Sequence, residues 1–143
     1  MHFQIAKSST VSKGEGVSGD ILTTIRPSTH MENHRLVLPE HLNHYGFLFG
    51  GYLLMWVDEV AWMAASLDFK GCQFVTVGMR AVAFHESVKQ GAILRFETKL
   101  LKTGTTSVTY SVSVNHDKTE IFSNSVTMVR IDEEGKKQSL PKL

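Results

Sequence analysis

The sequence predicts an α+β fold in which a curved antiparallel sheet wraps one long central helix. Residues Tyr52–Leu67 are apolar at almost every position, rich in good helix formers and free of proline. From Gln73 onward the chain becomes a succession of β-branched, apolar and alternating stretches joined by short links. The 143 residues, 42% of them hydrophobic, suffice for one core, and no linker divides them. We therefore expect one domain over residues 21–143. Residues 1–20, with Ser-Ser-Thr and Ser-Lys-Gly-Glu-Gly stretches and little apolar periodicity, read as a flexible arm.

In chain order, Ile21–Ile25 reads as a short strand broken by Pro27, and His34–Leu38 as a clearer one stopped by Pro39. Glu40–Phe49 is a loop leading to Gly50 and Gly51, just before the helix, and Gly71 is the signal that ends the helix exit turn. Gln73–Phe84 is a strand in which Gly78 marks a bulge or a close approach. After a turn over Glu86–Gly91, Ala92–Leu101 and Thr105–Val114 form a hairpin across Thr103-Gly104. A turn at His116–Lys118 leads to Ile121–Ile131, which completes an antiparallel meander. The last long strands would expose their edges in a monomer, a liability that pairing into a homodimer removes.

A helix apolar on every side is normally enclosed, yet this one carries Asp58 and Glu59. Helical spacing gives Asp58 the neighbours Leu54, Met55, Ala61 and Trp62, all apolar. A carboxylate there is costly unless paired, hydrogen-bonded or open to water. It is either a structural acid ordering a subunit contact or a working acid or base. Gly50 and Gly51 let a backbone or ligand approach the unpaired first-turn N–H groups, which form a donor site for a carbonyl or oxyanion. Asp58 lies two turns beyond Gly51, about 10 Å along the axis.

Other chemistries find little support. A net charge of +1 without a basic stripe gives no reason for nucleic acid. No run of 18 apolar residues argues for membrane insertion. The single Cys72 cannot form an internal disulfide and no signal-peptide pattern stands out, so the cytoplasm is the expected compartment. The seven histidines lack metal-ligand spacing, so no metal is expected.

The residues Leu36-Val-Leu-Pro39, Asn43-x-x-Gly46-x-Leu-Phe-Gly-Gly51 and Asp58 resemble the acyl-CoA hydrolase branch of the hotdog-fold thioesterases. The likeness continues through Val75-Thr76, Val82-x-Phe84, Gly91, Thr103-Gly104-x-x-Ser107 and Thr127-Met-Val-x-Ile-Asp-x-x-Gly135, covering roughly residues 34 to 141. It implies hydrolysis of acyl-CoA to free acid and CoA, with no metal or cofactor, since coenzyme A is part of the substrate. It further implies that Asp58 is the general base or nucleophile and that Asn43 acts in the same site from the facing protomer. Gly50, Gly51 and the helix start would polarise the thioester carbonyl. Thr76, Arg80 and the loop containing Lys102, Thr106 and Ser107 would meet the substrate, and the assembly would be a homodimer, tetramer or hexamer. Acyl length would depend on a pocket between protomers to which Phe47, Trp56 and Trp62 contribute.

Each site residue also has a plain structural use. Asn43 suits an Asx turn before Gly46, Thr76 suits strand pairing, and Lys102 suits a solvated hairpin. The chain departs from the family pattern at His41 and Ala92, where acids are usual, and at Ser87, where proline is. Glu59 is a rival carboxylate, though register from Gly51 favours Asp58. On the same fold, a non-catalytic acyl-CoA sensor, a hydroxyacyl-thioester dehydratase using His85 or His44, and a purely structural dimer module are the competing functions.

Overall fold

The computed structural model describes residues 30–143, so the expected arm at residues 1–20 and the strand at Ile21–Ile25 lie outside the described residues. The elements are β1 (His30–Leu36), a 3-10 turn (Pro39–His41), α1 (Gly50–Asp68), β2 (Gln73–Phe84), β3 (Ile93–Thr103), β4 (Ser107–His116) and β5 (Thr119–Ile131). The strands form one antiparallel sheet in the order β1-β3-β4-β5-β2. Its inner face and α1 make the core. Leu53, Trp56, Val57, Val60, Ala61, Ala64 and Ala65 of the helix are buried among Phe96, Tyr110, Val112, Val114, Phe122, Val126 and Met128 of the sheet. The strict alternation of β4, with Val108, Tyr110, Val112 and Val114 inside and Ser107, Thr109, Ser111 and Ser113 half-buried, is the pattern of a sheet with one covered face.

Several expectations need correction. The strands after α1 are not one meander, because β2 crosses to pair with β5 while β3 pairs with β1. The exposed edges are accordingly β1 and β2, and the last long strands β4 and β5 are interior. β1 starts at His30, four residues earlier than read, because the outward residues of an edge strand are polar and hide the pattern. Lys102 and Thr103 belong to β3, past a bulge after Leu100, rather than to the hairpin loop, and β4 begins only at Ser107. Gly50 and Gly51 open the helix instead of preceding it. β2 keeps its expected limits, with a register shift between Thr76 and Gly78 and a second between Arg80 and Ala83. Gly71 closes the helix exit at φ +78, a left-handed conformation that glycine adopts without strain.

The helix is enclosed on one side only. Gly51, Met55, Glu59 and Trp62, spaced by four, four and three residues, form an open stripe along α1 in which Met55 is 50% and Trp62 47% exposed. Exposed Val75 and Val77 lie on the β2 edge. Among the described residues, no helix is long and apolar enough to cross a membrane.

At the far end of α1, the Tyr110 hydroxyl donates to Asp68 at 2.7 Å. Burial raises the Asp68 carboxyl above its ordinary value by more than this hydrogen bond lowers it. Burial beside that carboxylate also pushes the Tyr110 phenol far above its usual range. A carboxyl with a folded-state pKa above its unfolded one lends stability below the ordinary carboxylate range and loses it as pH rises through the raised value. Asp68 also ends a helix, where a negative charge opposes the dipole. Asp68→Asn keeps the acceptor for Tyr110 and removes the charge. We expect it to melt at or above the native temperature at pH 7, with the native protein catching up as pH falls into the carboxylate range. Thermal melts across that range check this, and a variant melting clearly below native at pH 7 would show that the fold prefers the ionised acid.

Candidate active site

Asp58 projects from the third turn of α1 toward β2, where the Thr76 hydroxyl donates to its Oδ1 at 2.5 Å. The carboxylate is half-buried in the chain. One oxygen is therefore oriented by a neutral donor, and Oδ2 is left for a further partner. Thr76 thus orients the Asp58 carboxylate through its hydroxyl.

Glu59 turns to the other side of the helix and pairs with Arg35 of β1. The guanidinium also lies over Trp56, 5.8 Å from the ring centroid. The two adjacent acids are therefore not equivalent: among the described residues Glu59 has a cation and Asp58 has none. Arg35 was legible in principle, since strand alternation puts it on the same inward face as Val37, which is 1% exposed.

The start of α1 has no side-chain cap and no acid in its first turn. Its first N–H groups, those of Gly50 and Gly51, point out of the helix without intrahelical acceptors, about two turns from Asp58. The space beside Gly51 is filled by the Phe49 ring, since a Cβ built there would lie 2.5 Å from Phe49 Cε1. Gly50 backs onto Phe84 at 3.4 Å by the same measure. A cleft of about 200 Å³ at this end is lined by Leu48, Gly50, Leu53, Phe84 and the segment His85–Val88.

Asn43 Oδ1 accepts the N–H groups of Tyr45 at 2.9 Å and Phe47 at 3.1 Å, so its side chain closes the turn that carries Gly46 at φ +85. The amide Nδ2 of Asn43 is left as a donor. These bonds stay within the loop, and within one chain they do not bring Asn43 to Asp58. Trp56, expected in an acyl pocket, is instead buried at 3% exposure between Phe96 and His41. Trp62 remains on the open stripe, its indole N–H donating to the Phe74 carbonyl at 3.3 Å.

On the outer face of the sheet, Arg80, Lys102 and Ser107 meet in one groove of about 430 Å³, completed by Val77, Gly78, Thr109, Ser125 and Thr127. Lys102, Thr109, Thr127 and Gly78 are successive cross-strand partners, and the Thr109 and Thr127 hydroxyls are 2.8 Å apart. A floor of small hydroxyl side chains thus runs between two cations. Thr106 does not line this groove; its carbonyl accepts the Arg130 N–H at 2.9 Å. The register shift between Thr76 and Gly78 puts Thr76 opposite buried Met128 and Gly78 opposite Thr127 of the groove, so the groove and the Asp58 carboxylate lie on opposite faces of β2. Among the described residues, no group of His, Cys, Asp or Glu is arranged to hold a metal ion.

One helix seated in the concave face of a five-stranded antiparallel sheet is a hotdog fold. The thioesterase superfamily model matches residues 45–122, and the chain belongs to this superfamily. An uncharacterized acyl-CoA thioester hydrolase of Zymomonas mobilis is 30% identical over 112 residues, 74% of each chain. Mouse acyl-coenzyme A thioesterase 11 is 30% identical over 105 residues, covering 73% of this chain. The chain spans only 16% of that relative and 30% of the mouse cytosolic acyl coenzyme A thioester hydrolase. Among solved structures, the acyl-CoA hydrolase of Staphylococcus aureus in complex with butyryl coenzyme A superimposes with a TM-score of 0.74 at 29% identity, covering 81% of this chain and 74% of that one. A hexameric thioesterase of Yersinia pestis gives 0.73 at 27% identity, over 77% and 93% of the two chains.

Proposed function

We propose that this chain hydrolyses acyl-CoA thioesters to a free carboxylic acid and CoA. The observation that carries this reading is Asp58: an acid held by Thr76, with no cation paired to it among the described residues, beside the open stripe of α1 and two turns from an uncapped helix start. As general base, Asp58 takes a proton from water as the water oxygen bonds to the thioester carbonyl carbon. Charge developing on the carbonyl oxygen is met by the N–H groups at Gly50 and Gly51. Collapse of the adduct breaks the carbon–sulfur bond, and the thiolate leaves as CoA with the proton returned from Asp58. Asp58 attacking the carbonyl directly, with water then cleaving the mixed anhydride, reaches the same products. A thioester is reactive enough that neither route calls for a metal or bound cofactor.

Two features favour a CoA ester. The groove flanked by Arg80 and Lys102 offers cations to phosphates above a hydroxyl-lined floor, and it adjoins the segment of β2 that supports Asp58. Variants of the Staphylococcus aureus hydrolase with alanine for an asparagine and for an aspartate are among the matching structures. Those two residues stand 15 apart, as Asn43 and Asp58 do. A threonine variant of the same enzyme also matches, its site 17 residues past that aspartate, where Thr76 is 18 past Asp58.

The open stripe on α1 and the β2 edge give a second copy a continuous surface to cover, and the hexameric neighbours show that this fold assembles. In such a dimer Asn43 Nδ2 of one protomer serves the Asp58 site of its partner. The lone Cys72 and a cytosolic relative fit work in the cytoplasm. A dehydratase draws no support from the histidines. His85 Nε2 faces both Ser123 at 3.3 Å and Glu120 at 3.7 Å, while His44 stacks on Tyr45 at 3.9 Å.

Release of free thiol from acyl-CoAs of graded chain length tests the reading directly. Turnover on some member is expected, and saturable binding without turnover on any would make the chain a sensor. The shared site makes a further prediction. An equal mixture of Asp58→Ala and Asn43→Ala protomers, each inactive alone, should recover about a quarter of native activity after subunit exchange, because half the dimers are mixed and each mixed dimer has one intact site. No recovery despite confirmed exchange would show that the two residues do not meet across protomers.

A further inference from the structure

We propose that His41 is a positioning residue for this reaction: it clamps the loop that carries Asn43 to the first turns of α1, and so fixes the Asn43 amide relative to the N–H groups at Gly50 and Gly51. The inference rests on the hydrolase reading above and adds to it a residue that touches no reacting atom.

The chain between Pro39 and Gly50 is a closed finger with two legs. Leu42 pairs with Leu48 across it, and at its tip the Phe47 carbonyl accepts the Asn43 N–H at 2.7 Å. At its base the Phe49 N–H donates to the His41 carbonyl at 2.9 Å. His41 therefore stands two residues before Asn43 on one leg. On the other it holds Phe49, the N-cap residue of α1, which directly precedes Gly50 and Gly51. These bonds order the finger within itself, and the His41 ring sets how it lies on the helix. That side chain is 15% exposed and meets two helix residues, Tyr52 at a centroid separation of 5.0 Å and Trp56 edge-on at 4.7 Å. Trp56 is buried and packed edge-on against Phe96 at 6.4 Å, so the imidazole rests on a fixed platform. Its Nδ1 accepts the Leu38 N–H at 3.0 Å, which closes the Pro39–His41 turn and sets the rotation of the ring. An Nδ1 that accepts leaves the ring proton on Nε2, which faces exposed Glu40 at 3.8 Å.

The other ties of the finger do a different job. The Leu48 N–H donates to the Val88 carbonyl at 2.8 Å and Lys89 Nζ lies over the Phe47 ring at 5.6 Å, so the second leg is fastened to the segment after β2. On the first leg Leu42 packs against the core through an apolar side chain, a contact without direction. The imidazole supplies direction, because a hydrogen bond and two ring contacts fix both its place and its tilt. The Asn43 turn, built of local bonds, survives loss of that ring, whereas its place over α1 does not. Such a shift acts on rate more than on stability, since a misplacement of about 1 Å in a site group can lower turnover about a hundredfold.

The test separates kcat from KM for an acyl-CoA that the native protein hydrolyses. His41→Ala, which removes both the acceptor and the ring, should lower kcat by about ten- to a hundredfold and leave KM within about threefold of native. Circular dichroism and oligomeric state should be unchanged. His41→Asn keeps an acceptor near the Nδ1 position, and His41→Phe keeps a ring against Tyr52 and Trp56, so each should retain more kcat than His41→Ala. Subunit mixing then locates the defect. His41→Ala mixed with Asp58→Ala should recover about a quarter of native activity, because the mixed dimer holds one site with a native finger facing a native Asp58. Mixed with Asn43→Ala it should gain nothing, because no site then has a sound finger. A packing defect that spreads along α1 to Asp58 gains from neither mixture. If Asn43→Ala and Asp58→Ala do not complement each other, the split between kcat and KM and the graded rescue decide alone. If His41→Ala does not fold, the same split in His41→Asn decides. A folded His41→Ala that keeps half or more of native kcat, a rise in KM at unchanged kcat, or no gain from Asp58→Ala where Asn43→Ala gains, overturns the role of His41. Absence of turnover by the native protein overturns the hydrolase reading, and this role with it.

Discussion

Replacing Asp58 with asparagine should lower kcat for acyl-CoA hydrolysis about a thousandfold, within the range that loss of a general base or nucleophile produces. The substitution changes almost nothing else. Asparagine keeps the shape and still offers an oxygen to the Thr76 hydroxyl, and the position is half-buried on a helix whose packing face lies elsewhere. KM should change little if acyl-CoA is held by contacts distant from the reacting carbon. Circular dichroism and the oligomeric state should match the native protein. A folded Asp58→Asn variant that keeps a tenth or more of native kcat would mean that the proton acceptor is another group. Asp58→Glu would then separate position from chemistry, because it retains the acid but shifts the carboxylate by one methylene.

Trp56→Ala should cost about 3–5 kcal/mol of stability, the range for removing a buried large aromatic. For a chain of this length that corresponds to a melting temperature lower by roughly 10–17 °C. Trp56 is 3% exposed and joins the helix to three neighbours: Phe96 of β3, His41 of the turn before the Asn43 loop, and Arg35 above it. Urea unfolding of native and variant proteins gives the number, and a loss under about 1 kcal/mol would show that the helix settles onto the sheet and closes the space.

Local signals in the sequence were strong. The apolar run located α1 to within two residues of its start, Gln73 and Phe84 bounded β2, and Gly78 marked a real bulge. The strand order was not readable. Nothing in the alternation of β2 distinguishes β5 from β3 as its neighbour, because both present the same apolar face. The helix looked enclosed because its composition is apolar all round; which stripe one chain leaves open depends on where the sheet lies. In the site, the carboxylate stood out by its place in an apolar helix, and the asparagine only through the resemblance to the hotdog-fold thioesterases. Their partners did not, since Thr76 and Arg35 lie 18 and 24 residues from the acids they touch. The Asx turn at Asn43 was legible because it is made within five residues.

The crossing of β2 to β5 also has a consequence for how the chain is made. As it leaves the ribosome, α1 and β2 emerge before β3, β4 and β5, and β2 cannot be paired on either side until Thr119–Ile131 has been synthesised. For that interval the unpaired backbone of β2 and the bare inner face of the helix have no native cover. The hairpin of β3 and β4 can form from neighbouring residues, but closing the sheet on β2 needs contacts spanning some 40 residues or more, which slows folding. Nascent chains stalled before Thr119 should therefore be the species most prone to aggregate or to recruit chaperones, and release of β5 should end that exposure in a single step.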